Sequence, residues 1–462
     1  MEREPSPVSA YSSVDDVPYV RGFVREAAPA WLDHVALLWG FAPPDRSGGF
    51  TWCDLGCGNG VTAALLAATH PSGTFHAIDA LASHIDDARQ LAAAARVGNV
   101  TYHAAAFDAA AALDLPQFDY VTAHGVYTWI DAKARADLRR LIDRHLKPGG
   151  LLYLSYNALP GRAADIPFQN LMQELGRRHN GDSAERAKWA YDAIRRMRKL
   201  NLPGFASSPM ANALYAEKTP QNPFYLAHEF MVPDWQPLSV VQMRQDMRGI
   251  GLKPLGSARL VENFDTYTLR DAERRFLKSI ADPDLAALLR DHFVNQSFRR
   301  DVFMRDGQPV SNAARRNRLL SSSFALTRPA PQVDYKFVTS AGQIAFDNPT
   351  TRSIVATLAN GPRPLAELRT GDMDPDRLLS HAMVLSAAQQ IAPVEPGRSP
   401  VATFNAVVLD RLGGPDELRC LALNCGTGVK AAPELLKRMR MGARLTGKQW
   451  GAWNEYLAIH AT

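Results

Sequence analysis

The sequence predicts an α/β chain built on a doubly wound parallel sheet, with an inserted group of helices and a C-terminal α+β region. Three observations predict it. Short apolar runs alternate with helical stretches from Thr51 to Asn157, an order that closes into a parallel sheet. The first run leads into Asp54-Leu55-Gly56-Cys57-Gly58-Asn59-Gly60, a glycine turn that opens a helix. After Pro160-Gly161 the alternation breaks into basic helices, and it returns near Leu238.

The first strand begins at Thr51, and the alanine- and leucine-rich stretch from Val61 to His70 is the helix behind the turn. Thr74 to Ala80 is a second strand carrying Asp79 near its end, followed by a helix that stops at Gly98. Thr101 to Phe107 reads as a third strand ending at Asp108, and Phe118 to Ile130 as a fourth that runs into a loop. A helix from Lys133 to Leu146 stops at Pro148-Gly149-Gly150, and Leu151 to Asn157 is the fifth strand. Residues 1–157 thus form the first part of the sheet domain. Residues 158–236 form the helical insertion, which stands above the strand carboxyl ends as a lid or dimer contact. Residues 237–272 return to the sheet with a helix and two closing strands, the second at Phe264 to Arg270. Residues 273–462 form a C-terminal regulatory or substrate domain. It opens with helices from Glu273 to Phe303, continues with a hairpin over Tyr335 to Pro349, and ends in an order compatible with a winged-helix-like fold.

At 462 residues the chain is about three times the usual domain length. A hydrophobic fraction of 46% and a charged fraction of 21% supply cores and argue against disorder. Lys+Arg exceed Asp+Glu by 52 − 47 = 5, a surplus too small to require nucleic acid. The basic runs Arg195-Arg196-Met197-Arg198-Lys199, Arg315-Arg316 and Lys437-Arg438-Met439-Arg440 lack interleaved aromatics and read as solvated helix faces. Cys53, Cys57, Cys420 and Cys425 form neither a disulfide framework nor a paired metal motif, so reduced thiols in a cytoplasm and no metal are expected. The opening MEREPSPVSAYSSVDD is unlike a secretory leader, and no apolar run is long enough to insert in a membrane.

The glycines at alternate positions 56, 58 and 60 allow tight turning and close approach of a ligand to the backbone. Asp79, nineteen positions beyond Gly60, stands where a carboxylate accepts hydrogen bonds from ribose hydroxyls. Together they indicate an adenosine-containing cofactor. A dinucleotide turn carries G-x-G-x-x-G, whereas this one is G-x-G-x-G with Asp54 before it; that acid repels a pyrophosphate and suits a cationic amino-acid end.

In this order DLGCGNG, AIDA, FDYVTAHGVYTWI, LKPGG and LLYLSYN resemble the class I S-adenosylmethionine-dependent methyltransferases. DVPYVRGF, AHGVYTWI, SYNALPG and AHEFMVPDWQPLS resemble, more narrowly, bacterial methyltransferases that carry a methyltransferase regulatory domain, a group that includes protein-lysine methyltransferases of outer-membrane proteins. The resemblance implies a Rossmann-like seven-stranded sheet, S-adenosylmethionine as cofactor with S-adenosylhomocysteine as product, and a homodimer formed through the inserted helices. It implies that Asp54, Gly56, Gly58 and Gly60 line the methionine moiety, Asp79 the ribose, Ala80 and Leu81 the adenine face, and Asp108 the adenine amino group. His124 is expected near the sulfonium, and Tyr19 against the cofactor from the N-terminal segment.

Methyl transfer is an in-line displacement, so the protein chiefly aligns the reactants and excludes water. An amine acceptor must first lose its proton, which a desolvated pocket or a neighbouring phenol assists. His124, Tyr127, Tyr156 and Asn157 are the expected catalytic pocket. For Tyr127 and Trp129 simple packing is an equal alternative, and Cys53 and Cys57 read as packing residues. Ala123-His124-Gly125-Val126-Tyr127 stands in place of the N-P-P-Y motif of nucleic-acid amino methylases, which argues against a nucleic-acid acceptor. The leading expectation is therefore methyl transfer to a protein side-chain nitrogen, most simply lysine. The alternatives are a small-molecule or peptide natural-product methyltransferase, and a cofactor-sensing regulator that contacts DNA.

Overall fold

The computed structural model describes residues 14, 16–17, 21–197, 200, 203–216, 222–369, 371, 373–395, 399–414, 416–442, 445–446 and 450–461. Helix α1 (Pro29–Leu38) leads to β1 (Phe50–Leu55), α2 (Val61–Thr69), β2 (Gly73–Asp79), α3 (Ala82–Ala94), β3 (Val100–Ala104), α4 (Phe107–Ala110), β4 (Phe118–Ala123), α5 (Ala132–His145) and β5 (Leu146–Asn157). Helices α6 (Ile166–Gly176), α7 (Ser183–Met197), α8 (Pro209–Ala216) and α9 (Pro223–Phe230) make the insertion. Then α10 (Val240–Arg248) and β6 (Leu252–Ser257) return to the sheet, which β7 (Phe298–Arg305) completes.

The seven strands lie in the order β3-β2-β1-β4-β5-β7-β6. Strands β1 to β5 are mutually parallel, while β7 runs antiparallel to both β5 and β6. The chain winds outward from β1 in one direction and resumes on its other side with β4, so a crevice opens at the carboxyl ends of β1 and β4.

Alternation along each strand divides the core in two. Trp52, Phe75, Ala77, Tyr120, Leu151 and Tyr153 point to the face covered by α1, α2 and α3. Cys53, Ile78, Val121, Leu152, Leu154 and Tyr156 point to the face covered by α5 and α10. Both faces are dry, as a parallel sheet requires. The insertion has its own core of Phe168, Met172, Tyr191, Leu226 and Phe230, to which Val14 and Val17 of the N-terminal segment add. Arg195 and Arg196 are exposed on α7; Arg198 and Lys199 lie outside the described residues.

The expectation for Phe264–Arg270 is corrected: this stretch is not a strand. Leu260–Asn263 is a 3-10 turn and Asp265–Thr268 a helical turn. Asn263 bends the chain away from the sheet, its Oδ1 accepting from Ser257 N–H at 2.9 Å and its Nδ2 donating to Ser257 O at 2.7 Å. The second closing strand is Phe298–Arg305, within the stretch expected to be helical and beyond residue 272. Its charges gave it a helical look, yet Arg299 is caged by carboxylates. Arg299 Nη1 donates to Asp291 Oδ1 at 2.5 Å, its Nε donates to Asp301, and the Tyr156 hydroxyl donates to Asp301 Oδ2 at 2.8 Å. These charges are all buried, so the pairing exists only in the folded chain.

The C-terminal region carries a three-stranded antiparallel sheet with Ser323–Leu326 between Arg363–Pro364 and Ile391–Val394. The expected hairpin is present as Lys336–Thr339 and Gly342–Ala345, and a second pairs Cys420–Leu423 with Thr427–Lys430. This region shares one continuous apolar core with α1 and α2. No helix among the described residues is long and apolar enough to cross a membrane.

Arg299→Met leaves Asp291 and Asp301 buried without a cation, and the expected loss is about 3–5 kcal/mol of stability. Tyr156→Phe removes one hydrogen bond and is expected to cost only about 1 kcal/mol. Urea midpoints of the two variants check the ranking.

Candidate active site

The turn between β1 and α2 needs glycine for two separate reasons at Gly56 and Gly60. Both are left-handed, with φ of +75° and +66°. An added β-carbon would also stand 2.4 Å from Val126 Cγ2 at Gly56 and 2.6 Å from Ala88 Cβ at Gly60. Glycine thereby lets the turn pack directly against Val126, Ala88 and Tyr102.

Asp79, at the end of β2, holds this turn. Its Oδ2 accepts from Gly58 N–H at 2.8 Å, and its Oδ1 accepts from Leu81 N–H at 3.0 Å, with His84 Nδ1 3.2 Å away. Asp54 is buried at the end of β1, where its Oδ1 accepts from the Thr122 hydroxyl at 2.7 Å. Burial, with the Asp79 charge adding to it, pushes the Asp54 carboxyl up to about 7. Ala80 is exposed and Leu81 half-buried at the rim. Asp108 opens α4, accepts from Ala109 N–H at 2.8 Å and pairs with Lys133 at 3.0 Å. Above the turn, Val24 N–H donates to Thr62 Oγ1 at 3.1 Å and Arg21 pairs with Asp87, so the N-terminal segment crosses the start of α2. Tyr19 lies outside the described residues.

These groups fit the cofactor the resemblance implies. The glycine turn follows a strand and opens a helix, the Asp79 oxygens retain lone pairs for ribose hydroxyls, and Asp54 is an acid with no ion pair among the described residues.

At the end of β4, His124 Nδ1 lies 2.8 Å from the Tyr153 hydroxyl and 3.0 Å from Ser155 Oγ. Its ring stacks on Tyr153 and meets the edge of Phe298, with centroids 5.9 and 6.0 Å apart. Ser155 Oγ also accepts from Gly125 N–H at 2.8 Å. Burial lowers the imidazole to about 4, so His124 is neutral at pH 7.

The structure does not bring the other expected pocket residues together with His124. Tyr127 is fully buried in the α5 and α10 core; its hydroxyl donates to Asp246 Oδ2 at 2.7 Å and accepts from Arg139 Nη1 at 2.8 Å. Tyr156 is buried in the same core with its hydroxyl on Asp301. Asn157 is buried with its Nδ2 3.4 Å from Thr128 Oγ1, and its carbonyl accepts from Leu238 N–H. Trp129 packs beside Trp235. Sequence reasoning passed over Tyr153 and Ser155, yet strand alternation carried a signal: if one of Tyr153 and Tyr156 faces the crevice, the other cannot. Cys53 and Cys57 are free, and burial pushes both thiols well up.

The raised Asp54 carboxyl has a measurable consequence. The ammonium of the ligand stays charged from pH 5.5 to 7.5, whereas Asp54 protonates below about 7. Affinity for S-adenosylhomocysteine is therefore expected to fall with decreasing pH across this window, by up to about tenfold per unit. Asp54→Asn is expected to bind weakly with a flat profile, as read by calorimetry.

Two family models match the chain, a methyltransferase domain at residues 53–150 and a predicted methyltransferase regulatory domain at residues 222–305. An uncharacterized protein of Synechocystis sp. is 32% identical over 354 residues, spanning 77% of this chain and 70% of its own. An uncharacterized protein of Rickettsia prowazekii is 29% identical over 167 residues, 35% of this chain and 63% of its own. Among solved structures, PKMT2 from Rickettsia typhi in complex with AdoHcy has the same fold, with a TM-score of 0.69 at 18% identity over 92% of this chain and 88% of that one. With its sheet order, its glycine turn and these matches, the chain belongs to the class I S-adenosylmethionine-dependent methyltransferases that carry a methyltransferase regulatory domain.

Proposed function

We propose that this methyltransferase acts on the side-chain amine of lysine in a protein acceptor. One observation carries the reading: the fold shared with the protein-lysine methyltransferase PKMT2 extends over 92% of this chain, through the accessory regions as well as the sheet. A neutral imidazole at the end of β4 supports it, since an uncharged neighbour adds no positive charge against an acceptor amine.

In this reading Asp54, Gly56, Gly58 and Gly60 hold the methionine end of the cofactor, Asp79 the ribose, and Ala80, Leu81 and Asp108 the adenine. The cofactor supplies a methyl carbon activated by sulfonium. The acceptor ammonium releases a proton to solvent, its lone pair forms the new N–C bond, and the C–S bond breaks with its electron pair left on sulfur. His124, with Tyr153 and Ser155, shapes the acceptor end and excludes water. Residues 158–236 cover the carboxyl edge and residues beyond β7 form the regulatory and substrate region. Free cysteines suit a reducing cytoplasm.

Two measurements test this. Labelled cofactor incubated with bacterial lysate is expected to leave methyl-lysine after acid hydrolysis of the protein fraction, whereas label confined to small molecules favours the natural-product alternative. Phe224 and Tyr225, exposed on α9, support a homodimer through the insertion, and sedimentation showing only monomer at tens of micromolar counts against it.

A further inference from the structure

Three charges from three separate parts of the chain act on the imidazole of His124, whose ring meets that of Phe298 at 6.0 Å. Glu26 comes from the N-terminal segment, Arg300 from β7 and Lys430 from the last strand of the C-terminal region. The β5–β7 register sets Arg300 opposite Ser155 and Phe298 opposite Asn157, so Arg300 shares a sheet face with Ser155 and Tyr153. The Arg300 guanidinium lies over the Phe298 ring at 4.9 Å.

Glu26 is the unusual member. Its side chain is 16% exposed, and among the described residues its carboxylate has an ion pair only with Arg300, at 4.0 Å, which is longer than a hydrogen bond. Arg25, its neighbour, is turned over the Trp31 ring. Arg300 Nε is itself buried without a hydrogen-bond partner among the described residues. A mostly buried carboxylate held this loosely is one whose full hydrogen-bonding capacity is unused.

Resting on the lysine reading above, we propose that Glu26 is the specificity determinant of the acceptor pocket: it receives the amine-bearing end of the acceptor, displacing Arg300, while Phe298 flanks the methylene stem. A loose internal cation then gives way to a better placed one, and a charge-assisted hydrogen bond replaces a contact at 4.0 Å. Arg300 competes with the acceptor for the same carboxylate, so the two residues have opposite effects on binding.

The test titrates full-length enzyme, saturated with S-adenosylhomocysteine, with a short acetylated alanine peptide bearing one central lysine; the same peptide with norleucine is the control. Glu26→Gln is expected to weaken lysine-peptide binding by about ten- to a hundredfold, with affinity for S-adenosylhomocysteine within about twofold of wild type. Arg300→Gln is expected to tighten it. Equal weakening by both variants marks a purely structural ion pair and overturns the proposal, as does an unchanged Glu26→Gln or the absence of lysine-dependent binding in wild type. In the lysate labelling, methyl groups on a non-amine acceptor overturn the lysine reading itself. Methyl-lysine there, with peptide binding indifferent to Glu26, overturns the pocket alone.

Discussion

The two hydrogen bonds that the Asp79 carboxylate accepts from Gly58 and Leu81 are the constraint on which the site depends. They tie the turn after β1 to the loop after β2. Gly56 and Cys57 N–H add to the tie by donating to the Ile78 carbonyl at 2.8 and 3.0 Å. Glycines at 56 and 60 let the backbone reach the carboxylate, and Val126, Ala88 and Tyr102 pack so closely behind them that a methyl group would not fit. Turn geometry and close packing therefore come from the same residues, and the acid proposed for the ribose is also the acid that builds the loop.

Buried charge shapes the other half of the crevice. Strand β7 lies antiparallel beside β5 with Arg299 paired to Asp291 of the preceding helix and to Asp301 of its own strand, and Tyr156 of β5 donates to Asp301. Residues of β7 that face the other way, Phe298 and Arg300, are then delivered to His124. One alternation thus separates a structural charge cluster from the acceptor side of the site. Docking of the C-terminal region follows similar logic: Arg46 joins Asp33 of α1, at 2.8 Å, to Glu395. Burial acts to raise the Glu395 carboxyl, but His70 and Arg46 outweigh it and hold it down at about 2. Asp33 also accepts from the Tyr120 hydroxyl of β4, so the C-terminal region is connected to the strand that ends at His124.

The division between what could be read and what could not falls along the range of the interactions. Strands β1 to β5, their helices and the glycine turn are local patterns, each written within about twenty residues and each reinforced by the next. The strand at β7 is not local. Its Arg-Arg-Asp run imitates a solvated helix until Asp291 of the preceding helix pairs with Arg299 and the Tyr156 hydroxyl of β5 caps Asp301, whereas Phe264–Arg270 imitates a strand until Asn263 turns it away. Tyr127 and Tyr156 drew attention for standing at strand ends, but which face a strand-end residue takes depends on register, and both hydroxyls are committed to acids distant in sequence.

By itself, then, the sequence determined the parallel strands β1 to β5, the glycine turn, the acidic pair Asp54 and Asp79, and the class of chemistry, because glycine conformation and hydrophobic periodicity are properties of short segments. Only the tertiary structure decided the seventh strand, the pairing of His124 with Tyr153 and Ser155, and the convergence of Glu26, Arg300 and Lys430. These depend on long-range register and on burial, which sets whether a charge is solvated, paired or left waiting for a partner.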